Sequence, residues 1–284
     1  PTAWLRAKNA SFSLCWAASG QSWLEVSGVS AAIPVMGRPA TSTLAVGSVR
    51  AAGEEIVSSL SAPLDWTSPL LSLQPLETEI HGLKFTLAGK LGMLGGLPVQ
   101  LDARLPHQAL AAAVLPAGGQ AAAESVAVNA RFRGLLLAPG TWQGDFVTEA
   151  LAPTGSIGGH DVAFDRGSAV VVLRGGMLSC VDARLIGDQL SLLGNATLLA
   201  DGRMAAVLRT VAPPETATAI ASRLFPGAPQ PLPLTPLSTP QRAAFDLEAF
   251  GDIRQPFLRL GREGPVVELN RQNSKQLQTD ADER

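Results

Sequence analysis

The chain has 284 residues, 46% of them apolar and only 16% charged, with a formal net charge of −2. That length can bury a sizeable core, as one large domain or two smaller ones. The charge balance offers no electrostatic footprint for nucleic acid or for an anionic membrane surface, and with no tyrosine and 5% aromatics there are few stacking platforms for bases or sugars.

Taken in order, residues 4–33 predict two strands around Ser19-Gly20. Polar and apolar residues alternate over 11–16, so Phe12, Leu14 and Trp16 share one face, as an open antiparallel sheet requires. Trp16 and Trp23 are expected to pack across that hairpin. Residues 33–38 read as a break, 44–51 as a strand, and 54–60 as either a strand or a helical turn. Pro63, Pro69 and Pro75 restrict any strand between them to an edge or to short pieces. Residues 83–88 and 99–105 are the next strands, flanking a Gly-rich connection over 89–96. The run 108–114 has helix propensity but is cut short by Pro116, Gly118 and Gly119, whereas the alternation of Val126, Val128 and Ala130 favours a strand over 121–131. Residues 135–137 and 141–148 lead into the centre of the chain.

The stretch 155–211 is the organising element. It reads as five or six short strands broken at 165–167, Gly175-Gly176, Gly187-Asp188 and Asp201-Gly202. Asp-Gly between apolar runs is a hairpin signal, because both central residues of a type I′ turn need positive φ. This predicts an antiparallel meander. Pro213-Pro214 then open the best helix, since proline fits a first turn, and Ala217, Ile220, Ala221 and Leu224 recur at helical spacing. The Pro-rich residues 226–240 predict an extended linker, 243–250 and 257–260 a final strand pair, 266–269 a last strand, and 270–284 a disordered polar tail. The predicted fold is therefore all-β, a mainly antiparallel meander forming a curved or two-layer sheet, with one short helix near 214–225. A β domain over 1–225, divisible into two sub-sheets at a break near 106–123, precedes the linker and a short β segment over 241–269.

Catalytic motifs are absent from the sequence. His81, His107 and His160 sit on separate segments without metal-ligand spacing, and His160-Asp161 reads as a turn. No GxSxG, GxxxxGK[ST] or GxGxxG occurs. Asp145, Asp161, Asp165, Asp182 and Asp188 are scattered near turns, thin support for the paired carboxylates of a glycan-acting enzyme. Cys15 and Cys180 form no CxxC and read as small buried thiols rather than a disulfide. The reading is thus of no enzyme, no cofactor and no metal. No run of 18 apolar residues occurs and no signal peptide is visible, so the expectation is either a cytosolic chain or one whose export signal or anchor lies upstream of Pro1. The excess of Arg over Lys suggests a GC-rich bacterial genome, where the sequons at Asn9 and Asn195 carry no meaning.

The sequence of residues 187–214, GDQLSLLGNATLLADGRMAAVLRTVAPP, with the helix over 215–225 after it, resembles the bacterial envelope proteins related to AsmA, and most of all the type II secretion system protein N family. Residues 140–144, GTWQG, are similar to a small G-x-W-x-G element of such proteins. The resemblance covers residues 141–225; the Pro-rich stretch and the residues after it match no pattern of that family. It implies a non-enzymatic periplasmic protein, tethered to the inner membrane by a segment absent from this chain, with a curved sheet whose concave face is apolar. Its implied partners are other envelope or secretion-system proteins, and lipid acyl chains. Three functions are thereby in play: an envelope structural or assembly component, a lipid- or hydrophobic-ligand-binding β-groove, and a glycan-acting enzyme. Alternation within the meander nominates Phe164, Val170, Val172, Leu190, Leu192 and Val207 as the lining of an apolar groove.

Overall fold

A computed structural model describes residues 3–15, 22–36, 40–51, 54–67, 69–80, 82–115, 119–157, 160–225, 234–237, 241–252 and 255–268. These form 21 strands of one sheet and a single helix, the all-β antiparallel architecture the sequence predicts. The chain divides into two compact units, residues 1–106, 128–146 and 173–176 in the first and residues 107–127, 147–172 and 177–284 in the second.

In the first unit, β1 (Ala3–Cys15) pairs along β2 (Ser22–Met36). On its other side β2 meets β3 (Ala40–Val46) and β4 (Ser48–Ala51), and β4 continues the meander to β5 (Glu54–Val57). The join between β3 and β4 is Gly47, which lies against Gly28. A Cβ on Gly28 would stand 2.9 Å from the Gly47 Cα, and Gly28 has φ +66°, so the two backbones meet only because both residues are bare. β3 then pairs with β6 (Leu60–Thr67), and β7 (Leu70–Ile80), β8 (Leu83–Gly92) and β9 (Pro98–Leu115) come next in chain order.

The register gives these strands two chemically different sides. Trp66, Leu71, Leu91 and Val99 stand opposite one another on successive strands, and so do Leu64, Leu73, Gly89 and Leu101. One residue away, Asp65, Ser72, Lys90 and Gln100 form a polar row on the opposite side. This is the period-two alternation of a sheet with one wet face, and Leu64, Trp66 and Leu71 are the buried centre of its apolar side.

Several expectations are corrected here. Residues 33–36 are strand, part of β2, rather than a break. Pro63 and Pro75 sit within strands that have neighbours on both sides. They are tolerated because β7 pairs with β6 only from Leu64 onward, and Pro75 falls in the irregularity between Leu73 and Leu76, so the missing N–H costs no ladder bond. The undecided residues 54–57 are strand. The helix-prone run 108–114 belongs to the 18-residue β9, where pairing with the next strand overrides alanine's modest helical preference. Within the expected break near 106–123, residues 106–115 and 119–123 are strand, while residues 116–118, like Trp16 and His81, lie outside the described residues.

β9, β10 (Gly119–Leu135), β11 (Ala138–Leu151) and β14 (Arg166–Arg174) contribute residues to both units. In the second unit β12 (Thr154–Ile157) and β13 (His160–Ala163) form a hairpin, which makes His160 a strand residue rather than a turn residue. β15 (Met177–Ile186), β16 (Ser191–Leu198) and β17 (Arg203–Ala212) then pair in order. The predicted hairpin at Asp201-Gly202 is present but not as a type I′ turn: Gly202 has φ +90° while Asp201 keeps negative φ, and Asp201 accepts the backbone N–H of Arg203 at 3.1 Å. That bond, reinforced by the Arg203 guanidinium, holds the Asp201 carboxyl below the usual carboxylate range.

The helix α1 spans Pro214–Leu224, opening on proline with Glu215 in its first turn and Arg223 in its last, both favourable to the helix dipole. Ala217, Ile220 and Ala221 are buried with Phe225 against Leu192, Ala212, Phe245, Leu247 and Leu260. Each such large aliphatic or aromatic side chain contributes about 1.5–3 kcal/mol on burial. Past the Pro-rich stretch, of which only Thr235–Pro236 (β18) and its flanks are described, β19 (Ala243–Asp252) pairs with β17 over ten residues. β20 (Gln255–Leu260) and β21 (Val266–Glu268) complete the order. β19, β20 and β21 are therefore strands of the same sheet, while the expected tail lies outside the described residues. Among the described residues no helix is long and apolar enough to cross a membrane.

Candidate functional site

The segment GTWQG, residues 140–144, is the local structure to which the sequence drew attention, and every residue between its glycines makes an identifiable contact. β10 and β11 turn at Leu136-Leu137. Thr141 Oγ1 donates to the Ala138 carbonyl at 2.7 Å and accepts from the Leu135 N–H at 2.9 Å, fastening the turn from inside. Trp142 Nε1 donates to the Leu135 carbonyl at 2.9 Å, and its ring meets Phe132 edge-on with centroids 5.4 Å apart. The Trp142 ring lies across Gly134, where a Cβ would stand 2.8 Å from Trp142 Cδ1. Gln143 turns to the other side and accepts from Arg133 Nη2 at 3.0 Å. Gly144 is bare for a stronger reason, since a Cβ there would lie 2.9 Å from the Arg131 carbonyl oxygen.

Beside this corner, on the polar side of the first unit, lies a cleft of about 500 Å³ lined by Leu70, Lys90, Pro98, Gln100, Arg133 and Gln143, among others. Lys90 stands opposite Gln100 in the β8–β9 register. Gln100 Nε2 donates to Asp102 Oδ2 at 3.0 Å, and Asp102 is also 3.7 Å from Arg131. Among the described residues lining the cleft two are cationic and none is acidic. Chemically the arrangement suits recognition of an anion. A guanidinium oriented by a side-chain amide presents its remaining N–H groups as a fork.

The six residues nominated as a groove separate into two groups. Phe164, Leu190 and Leu192 are buried together in the core beneath α1. Leu192 stands opposite Thr210 and Leu185, whereas Val207 stands opposite Asn195 and Glu248, one residue out of phase and therefore on the other side of β17. Val207 is 42% exposed there. Its row carries the Arg259–Glu248 ion pair and lies beside Arg209–Asp246 at 2.9 Å. On β14 a Cβ at Gly167 would touch the Leu185 side chain, so alternation turns Val170 and Val172 away from that side. The structure thus brings Phe164, Leu190 and Leu192 together in the core, while Val170, Val172 and Val207 lie on the other sides of their strands, with Val170 and Val172 half-buried.

Two of the scattered aspartates engage arginines: Asp145 lies 3.5 Å from Arg174, and Asp182 lies 2.8 Å from Arg184. His107 Nδ1 is 3.1 Å from Ser125 Oγ across β9 and β10. Among the described residues no group of three or more His, Cys, Asp or Glu is placed to hold a metal ion. Both cysteines are free thiols, and Cys15 is exposed rather than buried as expected.

Sequence reasoning missed the cleft because its members come from β7, β8, β9, β10 and β11, and only the register brings them together. The one available signal was GTWQG itself, which marks the corner but not the cations beside it. In comparisons with known proteins, no family model, no curated protein and no solved structure matches the chain.

Proposed function

We propose that the chain is a non-enzymatic structural or assembly component of the bacterial cell envelope, of the secretion-system or AsmA-like kind. It would act in the periplasm, anchored to the inner membrane by a segment not contained here. The observation that carries this reading is the two-sided meander of the first unit. Its apolar side is continuous across four strands from Leu64 through Leu73 and Gly89 to Leu101, and Leu101, at the end of that row, remains 47% exposed. A row of aliphatic side chains that is buried at one end and open at the other supports a surface still to be covered by something outside the row. Another envelope protein is the favoured cover. The purely aliphatic character of the open end also suits an acyl chain, which makes lipid binding the second reading.

The test is site-specific photocrosslinking in bacterial cells producing the full-length gene product, with the photoreactive residue at Leu101 or at Arg104. Arg104 lies on the opposite side by strand alternation. The expected result is a discrete adduct with another envelope protein from position 101 and none from 104. A lipid adduct at 101 would move the conclusion to the second reading. Equal labelling at both positions, or none at 101, would overturn both.

A further inference from the structure

We infer that the cleft between Lys90 and Arg133 is a binding site for a phosphate group, carried on a molecule with a short aliphatic body. The inference does not rest on the proposed envelope function, since it concerns the polar side of the sheet and not the apolar one.

Charge comes first. Lys90 forms no ion pair among the described residues, and Arg133 is engaged by the neutral Gln143 at 3.0 Å. The nearest carboxylate by register is Asp102, which already has Arg131 at 3.7 Å and the Gln100 amide at 3.0 Å. Asp65 lies in the same polar row as Lys90 but two strands away, roughly 10 Å at the ordinary strand spacing. It is also taken by the Gln74 amide. The cleft therefore carries two uncompensated positive charges, which match the charge of roughly −1.5 to −2 on a phosphate monoester at neutral pH.

Geometry and surface agree with that choice. The Arg133 guanidinium has five N–H donors, of which Gln143 takes one and fixes the plane, so a two-pronged contact to phosphate oxygens remains open. Lys90 adds a point charge from the neighbouring pair of strands. Leu70, Pro98 and Leu135 line the same space, and Gly92 leaves it open, because a Cβ there would fall 2.7 Å from Pro98 Cγ. At about 500 Å³ the cleft falls within the range that holds small ligands. It is large enough for the phosphate and the first carbons attached to it.

Free phosphate and a phospholipid headgroup share this chemistry, and titration calorimetry on the purified chain at low ionic strength separates them. The probes are inorganic phosphate, dihexanoyl phosphatidic acid below its micellar concentration, and dihexanoyl phosphatidylcholine. Binding of the phosphatidic acid at least about tenfold tighter than the phosphatidylcholine is expected, weakening as salt is added. Equal affinity for inorganic phosphate would assign the site to the free anion and still support it. The K90Q/R133Q double substitution should weaken phosphate or phosphatidic acid binding by at least about tenfold, while R104Q and L101E should not. Both cleft side chains are on the polar face, and far-ultraviolet circular dichroism checks that the double variant remains folded. Absence of binding by both phosphate probes overturns the inference, as does binding that survives K90Q/R133Q. Loss of binding in L101E alone would also overturn it, by placing the ligand on the apolar side.

Discussion

Gly144 offers the sharpest test of how the GTWQG corner is built. Replacing it with alanine puts a methyl group 2.9 Å from the Arg131 carbonyl oxygen, 3.6 Å from Leu173 Cβ and 3.8 Å from Phe132 Cα. The closest of these is backbone in the adjacent strand, so relief requires β10 and β11 to separate and not merely a side chain to rotate. Overpacking of this kind costs about 1–3 kcal/mol. The same substitution recovers about 0.5–1 kcal/mol of chain entropy, because glycine in a strand is itself unfavourable. Gly140, four residues earlier on the same strand, supplies the control: nothing lies within 4 Å of a Cβ there, so G140A receives the entropic gain without the clash. The two variants should therefore differ by about 2 kcal/mol, with G144A the less stable. At a urea dependence of about 2 kcal/mol per molar, their midpoints should lie roughly 1 M apart when unfolding is followed by tryptophan fluorescence. Coincident midpoints would refute the close approach at Gly144 and with it the account of why that position is bare.

Further expectations rest on other parts of the molecule. Ile220, buried between α1 and the sheet, should lose about 2–5 kcal/mol on substitution by alanine, measured by chemical denaturation of the second unit's transition. The Thr210 hydroxyl, 1% exposed, has no hydrogen-bond partner among the described residues, so T210V should raise stability by about 1 kcal/mol; a loss instead would mean the hydroxyl is satisfied. Arg242 Nη2 donates to the carbonyls of Gly187 and Asp188, and R242A should release that turn, seen as faster amide exchange at Gly187 through Leu190. For Asp201, whose carboxyl titrates below the ordinary range in the folded chain, the hairpin's contribution is complete above the unfolded carboxylate range and is lost as pH falls through the lowered folded value. The Arg203 amide shift in an acid titration reports it, and D201N should remove that pH dependence.

Much of the stretch from residue 160 to α1 was legible because its punctuation is local. Gly175-Gly176, Gly187-Asp188 and Asp201-Gly202 each mark a real strand end, and the Pro213-Pro214 start with Ile220 and Leu224 four apart located α1 to within one residue at its end. The features that could not be read are those that depend on a neighbour. The run 108–114 has the composition of a helix and becomes strand because a partner strand lies beside it. Pro63 and Pro75 look disqualifying until the register shows that no ladder bond is asked of them. Val207 stands one residue out of phase with the core residues it was grouped with. Counting alternation along single strands cannot tell Val207 from Leu208, and only Leu208's pairing with Leu247 and Gly194 fixes which of the two looks toward α1. The cleft at Lys90 and Arg133 was invisible for the same reason.

The order of pairing has a consequence for how the chain acquires its structure. Strands β7, β8 and β9, and again β16 and β17, each bond to the strand made just before them, across connections as short as the two residues between β6 and β7. Closing such small loops is inexpensive, and contacts of low sequence separation make a β protein quick to assemble. A chain leaving the ribosome can lay each of these strands onto an edge that is already waiting. The pairing of β17 with β19 is different. Roughly 30 residues, including α1 and the Pro-rich stretch, intervene, and the added closure cost is roughly 2 kcal/mol over a four-residue turn. Docking of β19 and α1 should therefore be the late step of the second unit, and until it occurs the edge of β17 stands open to any other extended chain in the cell.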